Sequence, residues 1–142
     1  MFKKDYHFFN LARAISKEST FEKIKIGCVI VNKKEVISVG TNTPKSHPVQ
    51  MIYNTKYYRD RYKDGMFFHH YIHAEIRAIL NAERQDLTGC SLYTYRETFN
   101  GEIANSRPCP ACMKMIKNVG IKKIYYTTKD GYCEEVIKWS II

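Results

Sequence analysis

Two short stretches hold residues that can do chemistry together. "YIHAEIRAI" (71–79) places His73 and Glu75 two apart, where an apolar helical pattern begins. "SRPCPACMKMI" (106–116) places Cys109 and Cys112 three apart, at the start of another. Zinc takes nitrogen and sulfur ligands in a tetrahedron, and a catalytic zinc keeps three protein ligands and leaves the fourth position to water. His73, Cys109 and Cys112 supply that count. Cysteines three apart at a helix start can turn both sulfurs to one point, and the positive end of the helix dipole favours their thiolate form. Glu75, in the first turn after His73, can approach a zinc-activated water without ligating the metal, take its proton and pass it to a substrate. Three ligands, one open position and one adjacent carboxylate describe a hydrolytic zinc site. Taken alone, Cys109 and Cys112 also suit a buried or a redox pair, and a lone His-x-Glu says less still. The combination is what points to a site.

The elements that must bring these stretches together follow from periodicity. Phe8, Leu11, Ala12 and Ile15 predict a helix over about 5–18. "IKIGCVIV" (24–31) reads as a buried strand, "NKKE" (32–35) as a turn, and "VISVG" (36–40) as the second strand of a hairpin. Residues 42–71, with Pro44, Pro48, Gly65 and many tyrosines, are the least regular part, within which "YNTKYYRDRY" suggests a short helix. A helix over about 73–84 buries Ile76, Ile79 and Leu80; "CSLYTY" (90–95) is a strand; 96–107 is a polar loop. The next helix starts near Pro108, turns Cys112, Met113 and Ile116 inward, and stops at Gly120. "KKIYYTT" (122–128) is a strand, and "YCEEVIKWSII" is a short helix or a final extended segment. The order α-β-β-α-β-α-β implies an α/β fold: a three-layer α/β/α sandwich around a mixed sheet, with an N-terminal antiparallel hairpin and a parallel second half. Parallel strands set both ligand-bearing helices at the carboxyl edge of that sheet.

The 142 residues suit a single domain, 1–142, with one core. A net charge of +9 favours anionic partners such as nucleotides, RNA or DNA. No apolar run approaches the roughly 20 residues of a membrane span, and "MFKKDYHFFN" lacks the apolar stretch of a signal peptide. With five cysteines, an odd number, the expectation is a cytoplasmic protein with reduced thiols. Cys28, Cys90 and Cys133 read as core thiols, and His69 and His70 as exposed or structural.

"HAE" followed by "PCPAC" is the H-x-E…P-C-x-x-C pattern of zinc nucleobase deaminases. Over nearly its full length, to "IYYTT", the chain resembles the cytidine/deoxycytidylate deaminase superfamily. Histidine at position 73, "TNTPKSHP" and "GIKKIYYT" resemble most the short phage-type deoxycytidylate (dCMP) deaminases. That resemblance implies the cytidine deaminase type of fold, a Zn2+ cofactor, and hydrolytic deamination of dCMP to dUMP with attack at C4. It implies that Asn42 hydrogen-bonds sugar and base, that the Ala74 backbone N–H contacts the base carbonyl, and that Pro108 precedes the first thiolate. A homo-oligomer is common in the family. Asn42-Thr43-Pro44 lacks the glycine found next to this asparagine in many effector-regulated members.

Lys45 and His47 are candidates for a 5′-phosphate, and Arg107 for the same anion. One of Tyr125 and Tyr126 packs inward; the other, Tyr126, is free to stack on a base. Two rival functions remain at this point. One is deamination within a polynucleotide, which the charge and the basic-aromatic run 53–63 suit. The other is a zinc-stabilised, non-catalytic binding module, which would ordinarily need a fourth protein ligand.

Overall fold

The computed structural model describes residues 1–22, 24–57 and 70–138. Helix α1 (Lys3–Ser16) is followed by β1 (Lys25–Asn32) and β2 (Glu35–Thr41), then α2 (Pro48–Tyr57), α3 (Ala74–Asn81), β3 (Cys90–Glu97), α4 (Pro110–Asn118), β4 (Lys123–Thr128) and β5 (Gly131–Val136). The five strands form one mixed sheet in the order β2-β1-β3-β4-β5. The expected hairpin is β1–β2, antiparallel with Gly27 opposite Thr41, and β3 runs parallel to β4 with Tyr93 opposite Tyr125. "YCEEV" is extended: β5 pairs antiparallel with β4. Residues 58–62 of the suggested short helix, His69, and the last four residues lie outside the described parts; 53–57 are the end of α2.

The sheet separates two apolar clusters, which makes three layers. On one face Phe8, Phe9 and Ala12 of α1 pack on Val29, Tyr93, Tyr95 and Tyr125. Tyr93 and Tyr125 stack with ring centres 4.2 Å apart, and the Tyr93 hydroxyl donates to Asp5 at 2.6 Å. Asp5 also accepts from the Phe2 N–H, so one buried carboxylate closes the start of α1 and ties it to β3. On the other face Ile76 and Ile79 of α3 and Cys112, Met115 and Ile116 of α4 pack on Cys28, Ile30, Leu92 and Ile124. The i, i+3, i+4 stripe of α4 therefore takes Met115 rather than the expected Met113, which is half-buried. Leu80 and Cys133 are likewise half-buried, Cys133 because β5 is an edge strand with neighbours on one side only.

Close approach of α3 to the sheet depends on Gly40. A β-carbon there would lie 2.5 Å from the Ala78 nitrogen and 2.7 Å from the Ala74 oxygen, both backbone atoms that cannot swing aside. Ser38 donates to the Ala78 carbonyl at 2.8 Å and fixes the same seat. Gly40→Ala is therefore expected to cost about 2–3 kcal/mol, in the range of overpacked cores, and to lower Tm by roughly 5–10 °C. Thermal unfolding followed by circular dichroism checks this; an unchanged Tm would mean that α3 does not sit so close.

Candidate metal centre

The carboxyl ends of β2, β3 and β4 lie along one edge of the sheet, as the pairing of Gly27 with both Thr41 and Tyr95 requires. Both ligand-bearing helices start there. His73 is the N-cap of α3, with extended backbone. Cys109 is the N-cap of α4; its sulfur accepts from the Cys112 N–H, and Pro110 fills the first helical position, where its missing N–H costs nothing. The helix-starting proline is thus Pro110, two residues later than expected.

The His73 Nδ1 atom lies 3.2 Å from Cys112 Sγ and 3.5 Å from Cys109 Sγ. The three ligand atoms all lie within 4.8 Å of one another. Bond lengths of about 2.0–2.1 Å to nitrogen and about 2.3 Å to sulfur, at tetrahedral angles, put N and S about 3.5 Å apart. The donor set fits, and His73, Cys109 and Cys112 could hold a zinc ion. Cys112 is fully buried while His73 and Cys109 are half-buried, so the group is reached from their side.

Electrostatics at this point favour a cation. The Cys109 thiol is pulled down to about 4 by its hydrogen bond with Cys112 and, against the push of burial, by His73. Burial pushes the Cys112 thiol up, and the Cys109 sulfur adds to that. Glu75 is 4% exposed. Burial raises its carboxyl above the ordinary range and Cys109 adds to this, against the pull of His73. A carboxyl raised in this way lies nearer the pH at which it can both accept and return a proton. The Cys28 thiol, fully buried beneath the site, is pushed up by burial and by the proximity of Glu75.

The loop into α4 is held by hydroxyls. Ser106 Oγ donates to the Thr94 carbonyl and accepts from the Thr127 N–H at 2.8 Å, while Thr94 Oγ1 donates to the Ser106 carbonyl at 2.9 Å. Both neighbouring strands thus grip the chain three residues before Cys109. Sequence reading missed Ser106, although a serine two residues before Pro-Cys at the end of a loop was the available signal.

The remaining candidates fall around this edge with different commitments. Ala74 is fully buried at the first helical position of α3, where a backbone N–H has no partner within the helix. Asn42 is buried and already engaged: Oδ1 accepts from Ser19 Oγ at 2.7 Å and the Ile26 N–H at 2.9 Å, and Nδ2 donates to the Ile24 carbonyl at 2.7 Å. Its first role is to tie the segment after α1 to the end of β2. Lys45 is exposed, and its carbonyl accepts from the Ile72 N–H at 3.0 Å, which sets it beside the approach to His73. His47 caps α2 through Nδ1, which accepts from the Val49 N–H at 3.1 Å. Arg107 is paired with Glu135 at 3.1 Å, and with Tyr126 also beside it the guanidinium is raised, chiefly by the Glu135 hydrogen bond. Tyr126 is half-buried on the face that carries Cys112, whereas Tyr125 packs under α1. His70 has a structural place, with Nδ1 3.2 Å from Asn54 Nδ2.

Comparison with known proteins extends this reading. Residues 2–128 match the family described as the cytidine and deoxycytidylate deaminase zinc-binding region. A deoxycytidylate deaminase of Mycobacterium phage D29 is 30% identical over 129 residues, which cover 86% of this chain and 92% of that protein. The apo dCMP deaminase of cyanophage S-TIM5 superposes with a TM-score of 0.58 at 22% identity, over 89% of this chain and 84% of that one. A cytidine deaminase from Burkholderia pseudomallei does so with 0.60 at 16% identity, over 96% and 93%. At these identities the two structures speak for the fold, which is that of cytidine deaminases, as the sequence implied. By the stretch matched and the length shared with the phage protein, the chain belongs to the cytidine and deoxycytidylate deaminase family.

Proposed function

We propose that this deaminase acts on cytosine in a free nucleotide, with dCMP as its preferred substrate and dUMP and ammonia as products. The observation that carries the reading is a three-residue donor set with a buried carboxylate, Glu75, two residues from its histidine. The 30% identity to a phage deoxycytidylate deaminase, and the structure of the cyanophage dCMP deaminase in complex with dCMP and dUMP, support the substrate class.

A zinc ion held by His73, Cys109 and Cys112 would supply a Lewis acid that makes water a nucleophile near neutral pH. The Glu75 carboxylate takes a proton from the attacking water and delivers it to the ring nitrogen N3. A second proton follows the same route to the amine that leaves C4 as ammonia, so water and cytosine balance against uracil and ammonia. The buried setting of Glu75 keeps bulk water from competing for those protons. In this reading the Ala74 N–H holds the base carbonyl, and the Nδ2 hydrogen of Asn42 not used on the Ile24 carbonyl meets the sugar. Lys45 and Arg107 offer cations to a phosphate, Arg107 by exchanging Glu135 for it, and Tyr126 offers a ring to the base.

The test is an ammonia-release screen over CMP, dCMP, dCTP, deoxycytidine, dAMP and short oligonucleotides. The expected result is turnover of dCMP above all others. The net charge of +9 keeps a polynucleotide substrate as the second reading. Turnover confined to oligonucleotides and falling steeply with salt would establish that one instead.

A further inference from the structure

Helix α2 packs Val49 and Tyr53 against the core but keeps its deepest positions polar. Its fully buried residues are two amides, Gln50 and Asn54, both 0% exposed, while Met51 and Ile52 are 46% and 49% exposed. Burying an amide costs roughly 1–3 kcal/mol unless its groups are paired, so these two need a reason to be inside.

The reason is a directed chain of hydrogen bonds that ends on the backbone of a metal-site residue. The His73 N–H donates to Gln50 Oε1 at 2.9 Å. Because a backbone N–H can only donate, this contact fixes which end of the Gln50 amide faces His73. Gln50 Nε2 must then donate outward, and it does, to Asn54 Oδ1 at 2.9 Å. That in turn leaves Asn54 Nδ2 to meet His70 Nδ1 at 3.2 Å. Every amide orientation follows from the first link. His73 is the N-cap of α3 and Ile76 at N3 has no side-chain acceptor, so Gln50 supplies from another helix the acceptor for the His73 N–H that a capping box would supply locally.

The same helix reaches the other ligand-bearing element. Tyr53 accepts from Asn118 Nδ2 at 3.0 Å, and the Lys114 ammonium lies 5.6 Å from the centre of the Tyr57 ring. Residues 43–47 pair with 70–72 through the Thr43 N–H to Ile72, the Ile72 N–H to Lys45 and the His47 N–H to His70, so both ends of the connection are fastened beside His73.

We infer that Gln50 is a positioning residue for the metal centre: it sets the backbone of His73, and through it the imidazole, held by a hydrogen-bond chain that runs from Gln50 and Asn54 on α2 to His70 just before α3. The inference rests on the reading of His73 as a zinc ligand. Partners that orient a ligand are worth about 10–100-fold in metal affinity.

The test compares Gln50→Met, which keeps length and bulk but replaces the amide oxygen with a weakly accepting thioether, with Ser38→Ala, which loosens the other end of α3 without touching His73. Zinc affinity is measured on the full chain by competition with a chromophoric chelator, alongside Tm of the metal-free form. The expected result is zinc binding weakened about tenfold or more in Gln50→Met and unchanged in Ser38→Ala, although both lower Tm. Wild-type affinity in Gln50→Met, or equal weakening in the two variants, overturns the inference. Wild-type protein that binds no zinc at all would defeat the underlying site reading instead. Should Gln50→Met not fold, amide hydrogen exchange of wild-type His73 decides: slow exchange supports the bond, and exchange at open-loop rates refutes it.

Discussion

Replacing Glu75 with glutamine is expected to lower turnover by about a thousandfold or more while leaving metal binding intact. Glutamine has nearly the same shape and cannot take a proton, so the change removes acid–base transfer and little else. A positioned general acid–base contributes about 10²–10⁴-fold, and this carboxylate would move two protons per cycle. Its burial sharpens the expectation: it is 4% exposed, so bulk solvent is a poor substitute for it. The loss should appear in kcat, with KM changed little, because the proton transfers belong to the transition state. Steady-state ammonia release together with zinc content checks it. A variant with wild-type kcat would remove Glu75 from the chemistry, and one that has lost its zinc would make it a ligand.

The second large effect is expected at Cys112. It is fully buried on the core-facing side of α4, and its sulfur is 3.2 Å from His73 Nδ1. Cys112→Ala removes one of three donors and should weaken zinc binding well beyond the about 10–100-fold of a lost outer partner. A metal that binds only the folded form raises stability by mass action. Added zinc should therefore raise Tm in the wild type and leave it unmoved in Cys112→Ala, with activity lost in parallel. Differential scanning calorimetry with and without zinc measures both. An equal zinc-induced rise in the two proteins would show that the metal sits elsewhere.

What could be read from sequence was what is local. His73, Glu75, Cys109 and Cys112 stand at helix starts, and helix starts are marked by periodicity and by residues a few positions away. The β-branched, mostly apolar run 24–31 and the polar turn after it likewise pointed to the β1–β2 hairpin, and strands alternating with helices to the parallel pair β3–β4. Helix α2 was obscured because its pattern is mixed: Gln50 and Asn54 share the inner face with Val49 and Tyr53, while Met51 and Ile52 lie outside, so hydrophobic periodicity marks no single face. Its signal lies in contacts more than fifteen residues distant, such as Gln50 to His73. Asn42 shows a different limit. Its place after β2 is visible in the sequence, but its bonds to Ser19, Ile24 and Ile26 come from a turn of chain that no spacing rule joins to it. Strand β5, GYCEEV, sets Tyr132 and Cys133 next to Glu134 and Glu135 with no clean alternation, and at an edge such a strand and an exposed helix look alike until β4 is set beside it.

All of this depends on two separated stretches meeting around one cation with one position left open. Zinc K-edge X-ray absorption on the purified protein tests that directly, because the scattering distances count sulfur and imidazole neighbours. The account predicts one zinc per chain with two sulfur ligands, one imidazole and one light atom. No zinc, or four protein donors closed around it, would contradict it.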